Sequence, residues 1–502
     1  MDDFPSSCAR TRRTLRSDFP PEEDVTKPAK SSRPPTAPRP RPLRHHRLAA
    51  ILLAITSAAP VLAFAQDALM GTVLEEPGSA GLGFAFRGES SPYRDGETRT
   101  DFLPLYLYEG ERFFLRANEV GVRVWNDDSM GLEGFIERRL EGFPEDEQPD
   151  SLEGMSVRNT GADLGARFYF QHDASRWDVA VRHDIASLSH GTEVRAAYEY
   201  TIQRERWRLQ PIAIASWRSG DLNDYYYGVA PLEAREDRPA YDAGDGWNAT
   251  LALYGKYRIL QHWSLVGGAY VTKLSSEIRN SPVVDDDLQW GVMAGAAYDF
   301  GNGQVRWDDD DTPTYVKVFY GRDTGDGCHL VRIMTLQCVS LNDDDPTDIW
   351  GVHVGRPFVS KFNGWPLDII GYVGLLRHDE KGFQPDSWQV DAYMKGFWYG
   401  FPWSDRVTTR VGFGIGVSYA ERVPYTEVTT QAERERNTSK LLNYLEPSID
   451  VSVGDIFGIK RWHDVYFGFA VSHRSGIFAS SQLLGTVDGG SNYLYAYLEA
   501  AF

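Results

Sequence analysis

The 502-residue sequence has only three cysteines, a shortage of basic side chains, and no apolar run of the roughly 20 residues that a membrane-spanning helix needs. The last absence excludes a helical membrane protein. A surplus of acidic residues gives a net charge of −19, which argues against nucleic acid as a partner because the phosphate backbone is also negative. We expect no cofactor.

Cysteine is scarce, and its positions indicate one disulfide. Cys8 precedes a predicted cleavage site, which leaves Cys328 and Cys338 in the exported chain. Two cysteines that close a short loop in an exported protein form a disulfide more often than a metal site, and no His or Cys at ligand spacing surrounds them. We therefore predict a Cys328–Cys338 disulfide and no metal.

Residues 1–65 have the features of a leader. Residues 1–40 are rich in Pro, Arg and Ser and cannot pack a core. A basic stretch then precedes a short apolar run, Leu48 to Ala63, and small residues allow cleavage before Gln66. We predict a signal peptide. A membrane-anchor helix is the alternative, but the run is short and contains Pro60.

From residue 78 onward, short runs of alternating apolar and polar residues are separated by turns rich in Gly, Asp, Asn and Ser, which is typical of antiparallel strands. Asn248–Arg258 and Trp263–Lys273 form a clear hairpin of strands about ten residues long, the length with which a tilted strand crosses a bilayer. The mean hydropathy of −0.41 is compatible with this, since outward apolar and inward polar residues average out. No helix of useful length is predicted, and Ser219–Gly246 and Pro424–Ser439 are expected to be polar loops.

One run in the middle of the chain, Trp290–Phe300, resembles a closing strand. An acidic linker, residues 301–313, follows it. We count about twelve strands before the linker and about eight after it, both even as bacterial barrels require. The predicted fold is all-β, with two transmembrane antiparallel β-barrels in tandem over residues 66–300 and 314–502. One barrel of about twenty strands, with the linker as a turn, is the alternative.

The terminal hairpin shows the strand alternation most clearly. The apolar face of the last strand consists of Leu494, Ala496, Leu498, Ala500 and Phe502. The apolar face of the preceding strand consists of Val465, Phe467, Phe469 and Val471. Because successive side chains alternate between the faces of a strand, His473, Ser475 and Asn492 are predicted to lie on this same lipid-facing side. A His and a Ser two residues apart can form a hydrogen bond, and a base in that position would activate the serine hydroxyl.

Five short motifs precede the middle closing strand or end it: Tyr225-Tyr-Tyr-Gly-Val-Ala-Pro231, Pro239-Ala-Tyr-Asp-Ala-Gly244, His262-Trp-Ser-Leu265, Ser281-Pro-Val-Val284 and Ala297-Tyr-Asp-Phe300. In this order they resemble the MipA/OmpV family of outer-membrane proteins, named for interaction with a lytic transglycosylase. The resemblance implies a non-enzymatic scaffold that links peptidoglycan hydrolases and synthases. The tyrosines 225–227 could form a sugar-stacking platform, but we expect an aromatic belt at the membrane interface.

The second half ends on His473-Arg474-Ser475 and a closing strand, which resembles the PagL-like lipid A deacylases. The resemblance implies Ser475 as nucleophile and His473 as general base, at the outer leaflet where lipid A presents its esters. Where that family has an acid, this chain has Asn492, which can orient an imidazole but supplies no charge. Asp488 or Glu446 are the alternative third members. Polar residues where a strand leaves the membrane are the plainer interpretation of the same motif.

Two functions therefore stay open. The first is an outer-membrane scaffold that binds a peptidoglycan hydrolase or synthase, and the second is an esterase acting on lipid A. A porin is a weaker third, because Tyr495 and Tyr497 are predicted to fill the lumen of the second barrel.

Overall fold

The computed structural model describes residues 80–143, 148–300, 312–324, 328–434, 436–477, 481–484 and 487–502. The predicted signal peptide and nearly all of the predicted linker lie outside these residues. Within them, secondary structure consists of antiparallel strands and a few short helices. None of the described helices is long and apolar enough to span a membrane.

The strands of the first half are β1 (Ala80–Glu89), β2 (Arg99–Glu109), β3 (Phe113–Arg116), β4 (Glu119–Asn126), β5 (Met130–Arg138), β6 (Ala162–His172), β7 (Ser175–Asp184), β8 (Thr192–Tyr200), β9 (Ile202–Gln203), β10 (Trp207–Arg218), β11 (Gly246–Arg258), β12 (Trp263–Lys273) and β13 (Leu288–Asp299). Those of the second half are β14 (Tyr315–Asp323), β15 (Asp348–Val359), β16 (Leu367–Asp379), β17 (Ser387–Trp398), β18 (Thr409–Ala420), β19 (Leu441–Ser452), β20 (Val465–Ser475) and β21 (Asn492–Ala501). The helices are α1 (Gly220–Tyr227), α2 (Ser276–Arg279), α3 (Leu330–Met334), α4 (Tyr425–Glu433) and α5 (Val453–Phe457), with 3-10 turns at Asp150–Leu152, Phe362–Gly364, Lys460–Trp462 and Gln482–Leu484.

The first barrel closes between its first and last strands. β13 pairs with β1 from Gly81 opposite Asp299 to Glu89 opposite Gly291. The sheet holds thirteen strands, but the short β9 continues β8 beyond Thr201, so twelve strands form the wall. The second barrel closes separately, because β14 pairs with β21 and its eight strands follow chain order. The tandem prediction is confirmed, and the alternative of one barrel of about twenty strands is wrong.

Alternation along the strands decides which side chains face lipid. In β11, Leu251 and Leu253 point outward and are exposed, whereas Tyr254 points inward and is buried. The terminal hairpin follows the same rule, since Phe469 and Leu498 are exposed on the outer wall. Apolar residues outside and polar residues inside are what a strand crossing a bilayer requires.

The two ends of each barrel differ in the length of their connections. We call the end at which each barrel's first strand begins and its last strand finishes the turn end, and the opposite end the loop end. Helix α1 and helix α4 lie in loop-end connections that the sequence suggested were only polar loops. Helix α1 forms because the Ser219 hydroxyl accepts a hydrogen bond from the Leu222 N–H and so caps its first turn.

The two barrels contact each other beside β2 and β19. Tyr106 of β2 donates a hydrogen bond to the side-chain oxygen of Asn443 on β19. Beside them, Leu483 and Leu484 from the last loop of the second barrel join an apolar cluster with Leu105 of β2. At the turn end a second apolar cluster contains residues of both barrels: Ala80, Tyr108, Phe300, Phe358, Val359, Phe362, Ile369 and Met394.

Candidate functional site

His473 lies on the outer wall near the loop end of β20, directly opposite Asn492 of β21. Its Nδ1 is 2.8 Å from the Asn492 side-chain oxygen. Residues that face each other across an antiparallel pair have neighbouring Cβ atoms, so the strand register itself creates this contact. The structure therefore brings together two of the three residues that the sequence singled out.

Ser475 is two residues further along the same face of β20. Its hydroxyl accepts a hydrogen bond from the Ile477 N–H, with the oxygen and nitrogen 3.2 Å apart. Although all of these residues are described, no hydrogen bond joins the His473 ring to the Ser475 hydroxyl. Ser475 is held at the strand end, opposite Asn443 of β19.

The two alternative third members lie away from His473. Glu446 points into the lumen of the second barrel, where Lys317 and Lys395 donate to its carboxylate at 2.7 and 2.6 Å. Asp488 forms an ion pair of 2.9 Å with Arg436 in the loop-end connections. Asn492 is the candidate that contacts the imidazole.

The outer face around His473 is bordered on two sides. On one side the loop closed by the Cys328–Cys338 disulfide, whose Cα atoms are 5.6 Å apart, packs against Val471 and Leu494. On the other side stands Asn443, which accepts the hydrogen bond from Tyr106 of the first barrel. The pair therefore lies near both the disulfide-closed loop and the contact with the neighbouring barrel.

The His473–Asn492 pair can perform limited chemistry. If Nδ1 carries the proton and donates it to the Asn492 oxygen, Nε2 keeps a lone pair and can act as a base. A neutral amide orients the ring but does not stabilise a developing imidazolium, as a carboxylate would. The geometry thus supplies an oriented base without a charged partner.

A second region with site-like geometry is a cleft of about 800 Å³ at the loop end of the first barrel. It is lined by residues from two of the motifs quoted above, among them Tyr225, Gly228, Pro231, Tyr241 and Asp242. The expectation that tyrosines 225–227 form a membrane-interface belt is wrong. They lie on α1, and Tyr226 and Tyr227 are fully buried in an apolar core beneath the loops. The run of three tyrosines in the sequence suggested a contact with lipid, whereas in the structure these side chains pack among the loops.

Polar side chains fix the walls of this cleft. Arg158 donates to Glu233 at 2.8 Å, and Glu233 also accepts from the Ser156 N–H at 2.8 Å. Burial alone would raise the pKa of Glu233, but the hydrogen bonds from Arg158, Ser156 and Ala230 outweigh it and lower the pKa to about 2. Asp224 behaves oppositely, because partial burial and the neighbouring Asp242 raise its pKa. The two motifs that line this cleft, Tyr225–Pro231 and Pro239–Gly244, were recognisable in the sequence, but the contacts that form the cleft were not.

The two acidic triplets of the sequence, Asp285-Asp286-Asp287 and Asp343-Asp344-Asp345, do not form a metal-like arrangement. Asp285 pairs with Arg94, and Asp287 pairs with Lys273. Across the described part of the chain, no three His, Cys, Asp or Glu side chains are grouped as metal ligands would be.

The comparisons with known proteins concern the first barrel. A family model described as MltA-interacting protein MipA matches residues 80–300. Outer membrane protein Omp26La of Vibrio anguillarum is 31% identical over 215 residues, which are 42% of this chain and 83% of that protein. The chain belongs to the MipA family of outer-membrane proteins. The MltA-interacting protein of Escherichia coli strain K12 is similar as well, 28% identical over 233 residues, or 45% of this chain and 93% of that protein.

Membership in this family indicates in which membrane the barrels lie and which end of each faces the periplasm. The protein is located in the bacterial outer membrane, as its relatives are. Long connections of such barrels face the cell exterior and short ones face the periplasm, so the loop end is extracellular and the turn end periplasmic. The family match ends at residue 300. The resemblance of the second barrel to lipid A deacylases stays a prediction.

Among solved structures, the copper transporter OprC is 10% identical, with a TM-score of 0.23 over 85% of this chain and 81% of that one. A likeness this low supports no inference about function.

Proposed function

We propose that this MipA-family protein is an outer-membrane scaffold that binds peptidoglycan-remodelling enzymes at its periplasmic end. The observation that carries the proposal is the match of the first barrel to proteins named MltA-interacting protein over 93% of their length. A scaffold needs an anchored, rigid barrel and a partner surface facing the peptidoglycan, and the turn end of the first barrel has that position.

Filled lumens support a scaffold over a pore. In the first barrel, Arg116 and Arg167 both bind the buried Glu133, at 3.1 and 3.0 Å. In the second, tyrosines 495 and 497 are buried beside charged residues. Side chains that fill a small barrel leave no wide aqueous channel.

The test replaces a periplasmic turn and measures partner capture. The turn Arg204-Glu205-Arg206 is exposed at the turn end of the first barrel. We expect its replacement by three alanines to reduce co-purification of the lytic transglycosylase MltA several-fold after cross-linking in intact cells. The control is alanine replacement of Arg235-Glu236-Asp237, a charged and exposed turn of similar composition at the extracellular end, which should capture MltA as the unaltered protein does. Failure of the unaltered protein to capture MltA or any other peptidoglycan enzyme would overturn the scaffold.

The second candidate function is hydrolysis of an acyl ester of lipid A by the second barrel. The observation in its favour is the 2.8 Å contact between His473 and Asn492 on the outer face, two residues from Ser475. Mass spectrometry of lipid A from expressing cells decides the question. Loss of one acyl chain that is abolished by Ser475→Ala, but not by Ser472→Ala on the opposite face of β20, would support the esterase. An acyl pattern that is unchanged by the unaltered protein would exclude it.

A further inference from the structure

The loop between β14 and β15 folds back along the outside of the second barrel. Cys328 and Ile333 of this loop are buried against Val471 of β20, with Leu330 and Leu494 packed beside them. Val471 is only 4% exposed, although it belongs to the outward face of its strand. The loop therefore covers the extracellular end of the lipid-facing wall and does not extend into the medium.

The same loop has five large apolar side chains at exposed positions, interspersed with the exposed polar residues Arg332, Thr335, Gln337 and Ser340. Its exposed large apolar side chains are Val331, Met334, Leu336, Val339 and Leu341. Leu336 is 82% exposed, more than Phe469 of the lipid-facing wall at 52%. Single exposed apolar residues are ordinary on soluble surfaces, but five within the eleven residues from Val331 to Leu341 indicate a contact with another apolar phase.

We propose that residues 328–341, which we call the disulfide loop, form an interfacial segment whose outer side is immersed among acyl chains of the outer leaflet. The loop continues an established lipid-facing surface, because Val471 and Leu494 oppose each other on the same outward face as Phe467, Phe469 and Leu498. A segment that rests on that wall at the membrane boundary has lipid on its free side. Its apolar residues face outward there, as in interfacial segments of other membrane proteins.

The disulfide keeps this loop compact, so that one side can pack against the barrel wall while the other stays exposed. Cys328 and Cys338 close a ring around α3, so the buried Ile333 and the exposed Val331 are fixed on opposite sides of the helix. The loop is adjacent to the His473–Asn492 pair, which is the next outward-facing pair beyond Val471 and Leu494. Lipid approaching that pair along β20 and β21 has to pass the disulfide loop. This inference does not depend on the scaffold or on the esterase.

Photo-cross-linking in intact cells tests the proposal on the full chain. A benzophenone amino acid is placed at Leu336, with a positive control at Phe469 and a negative control at Asp344, which is exposed and polar in the same connection. We expect irradiation to give lipopolysaccharide adducts at Leu336 with a yield similar to that at Phe469 and several-fold above that at Asp344, read by gel mobility and mass spectrometry.

A yield at Leu336 no higher than at Asp344 would overturn the proposal. Heat-modifiable gel mobility shows whether each variant has folded. If the Leu336 variant does not fold, the same comparison is made at Val331, which is 71% exposed on the same side of the loop.

Discussion

The two barrels share one wall architecture and both have polar lumens, but they distribute their buried polar contacts differently. The first barrel spreads them over several lumen ion pairs, such as those of Glu133 with Arg116 and Arg167. It also has extracellular loops that pack around an apolar core of their own, which includes Leu222 and Tyr227. The second barrel concentrates them on one carboxylate at mid-lumen, that of Glu446, which accepts hydrogen bonds from five donors: Lys317, Lys395, Tyr393, Tyr444 and Tyr495. The first barrel thus has a packed extracellular cap in addition to its lumen contacts, whereas the lumen contacts of the second depend on one residue.

This difference shows that the wall of a barrel does not by itself determine which substitutions lower the free energy of unfolding most. Loop substitutions should affect the first barrel locally, whereas a lumen substitution should affect the second as a whole. The following predictions test that contrast, beginning with the largest effect.

Removing the central carboxylate should have the largest effect. Glu446→Ala leaves the ammonium groups of Lys317 and Lys395 buried without their shared anion, which costs about 3–5 kcal/mol of the free energy of unfolding. Urea unfolding in detergent micelles should show the second barrel unfolding earlier while the first is unchanged.

A matched variant sharpens this result. Lys317→Met, Lys395→Met and Glu446→Leu together leave no buried charge at this point and should recover much of the loss. Equal destabilisation of both barrels by Glu446→Ala would contradict the contrast between them.

Truncating a core residue of the extracellular cap, by which we mean the loop-end connections of the first barrel that pack around Leu222 and Tyr227, should have a local effect. Leu222 is 1% exposed, and Leu222→Ala should cost the cap about 3 kcal/mol through the cavity it leaves. Proteases added outside the cell should then cut residues 219–245 faster, with barrel unfolding unchanged. Leu232→Ala, at a fully exposed leucine in the same loop, is the control and should have no effect. Lowered stability of the whole first barrel would refute a separate cap.

The Glu233–Arg158 pair should make the same cap sensitive to acid. Because the folded pKa of Glu233 is about 2 and its ordinary value is 4.5, the pair stabilises the cap fully above pH 4.5. That stability is lost as the pH falls from 4.5 through about 2. Protease cutting of the cap should rise over this range. In Glu233→Gln that acid-dependent part should disappear, whereas Glu236→Gln at an exposed position should keep it.

The smallest effect is expected at the periplasmic turn after β19. His463 Nδ1 lies 2.7 Å from Asp455, and this hydrogen bond raises the pKa of His463 above its ordinary 6.5. The pair stabilises the turn below pH 6.5, and its contribution is lost as the pH rises through the raised pKa. Since the imidazole is half exposed, His463→Gln should cost below about 0.5 kcal/mol. An NMR titration should show the raised pKa, and Asp455→Asn should return it toward 6.5. If the pKa of His463 in the unaltered protein is not raised above 6.5, the proposed interaction with Asp455 is wrong.

The wall of both barrels was predictable from sequence because a strand in a bilayer must alternate at every residue. The alternation of side chains along the strands was enough to place His473, Ser475 and Asn492 on one outer face. The strand register explains the contact between His473 and Asn492. The strands β4 and β5 were counted but not delimited, since their inward positions include Glu133 and their outward ones include glycine.

The remaining features depend on contacts between segments far apart in the chain. No local pattern indicates that Tyr226 and Tyr227 pack beneath loops, or that Ser475 bonds to Ile477 and not to His473. The apolar residues of the disulfide loop were visible in the sequence, but only the fold shows that the loop rests on the outer wall.

The contact between the barrels has a consequence for how the chain can be divided. Strand β3 pairs with β2 over three residue pairs, from Leu107 opposite Arg116 to Glu109 opposite Phe114, and the turn Gln482–Leu484 of the second barrel lies against β2. Cutting the chain after residue 300 would remove that cover and give β2 a bare edge, the kind of surface on which chains aggregate. The first barrel should therefore be produced together with the second and not as a free-standing module.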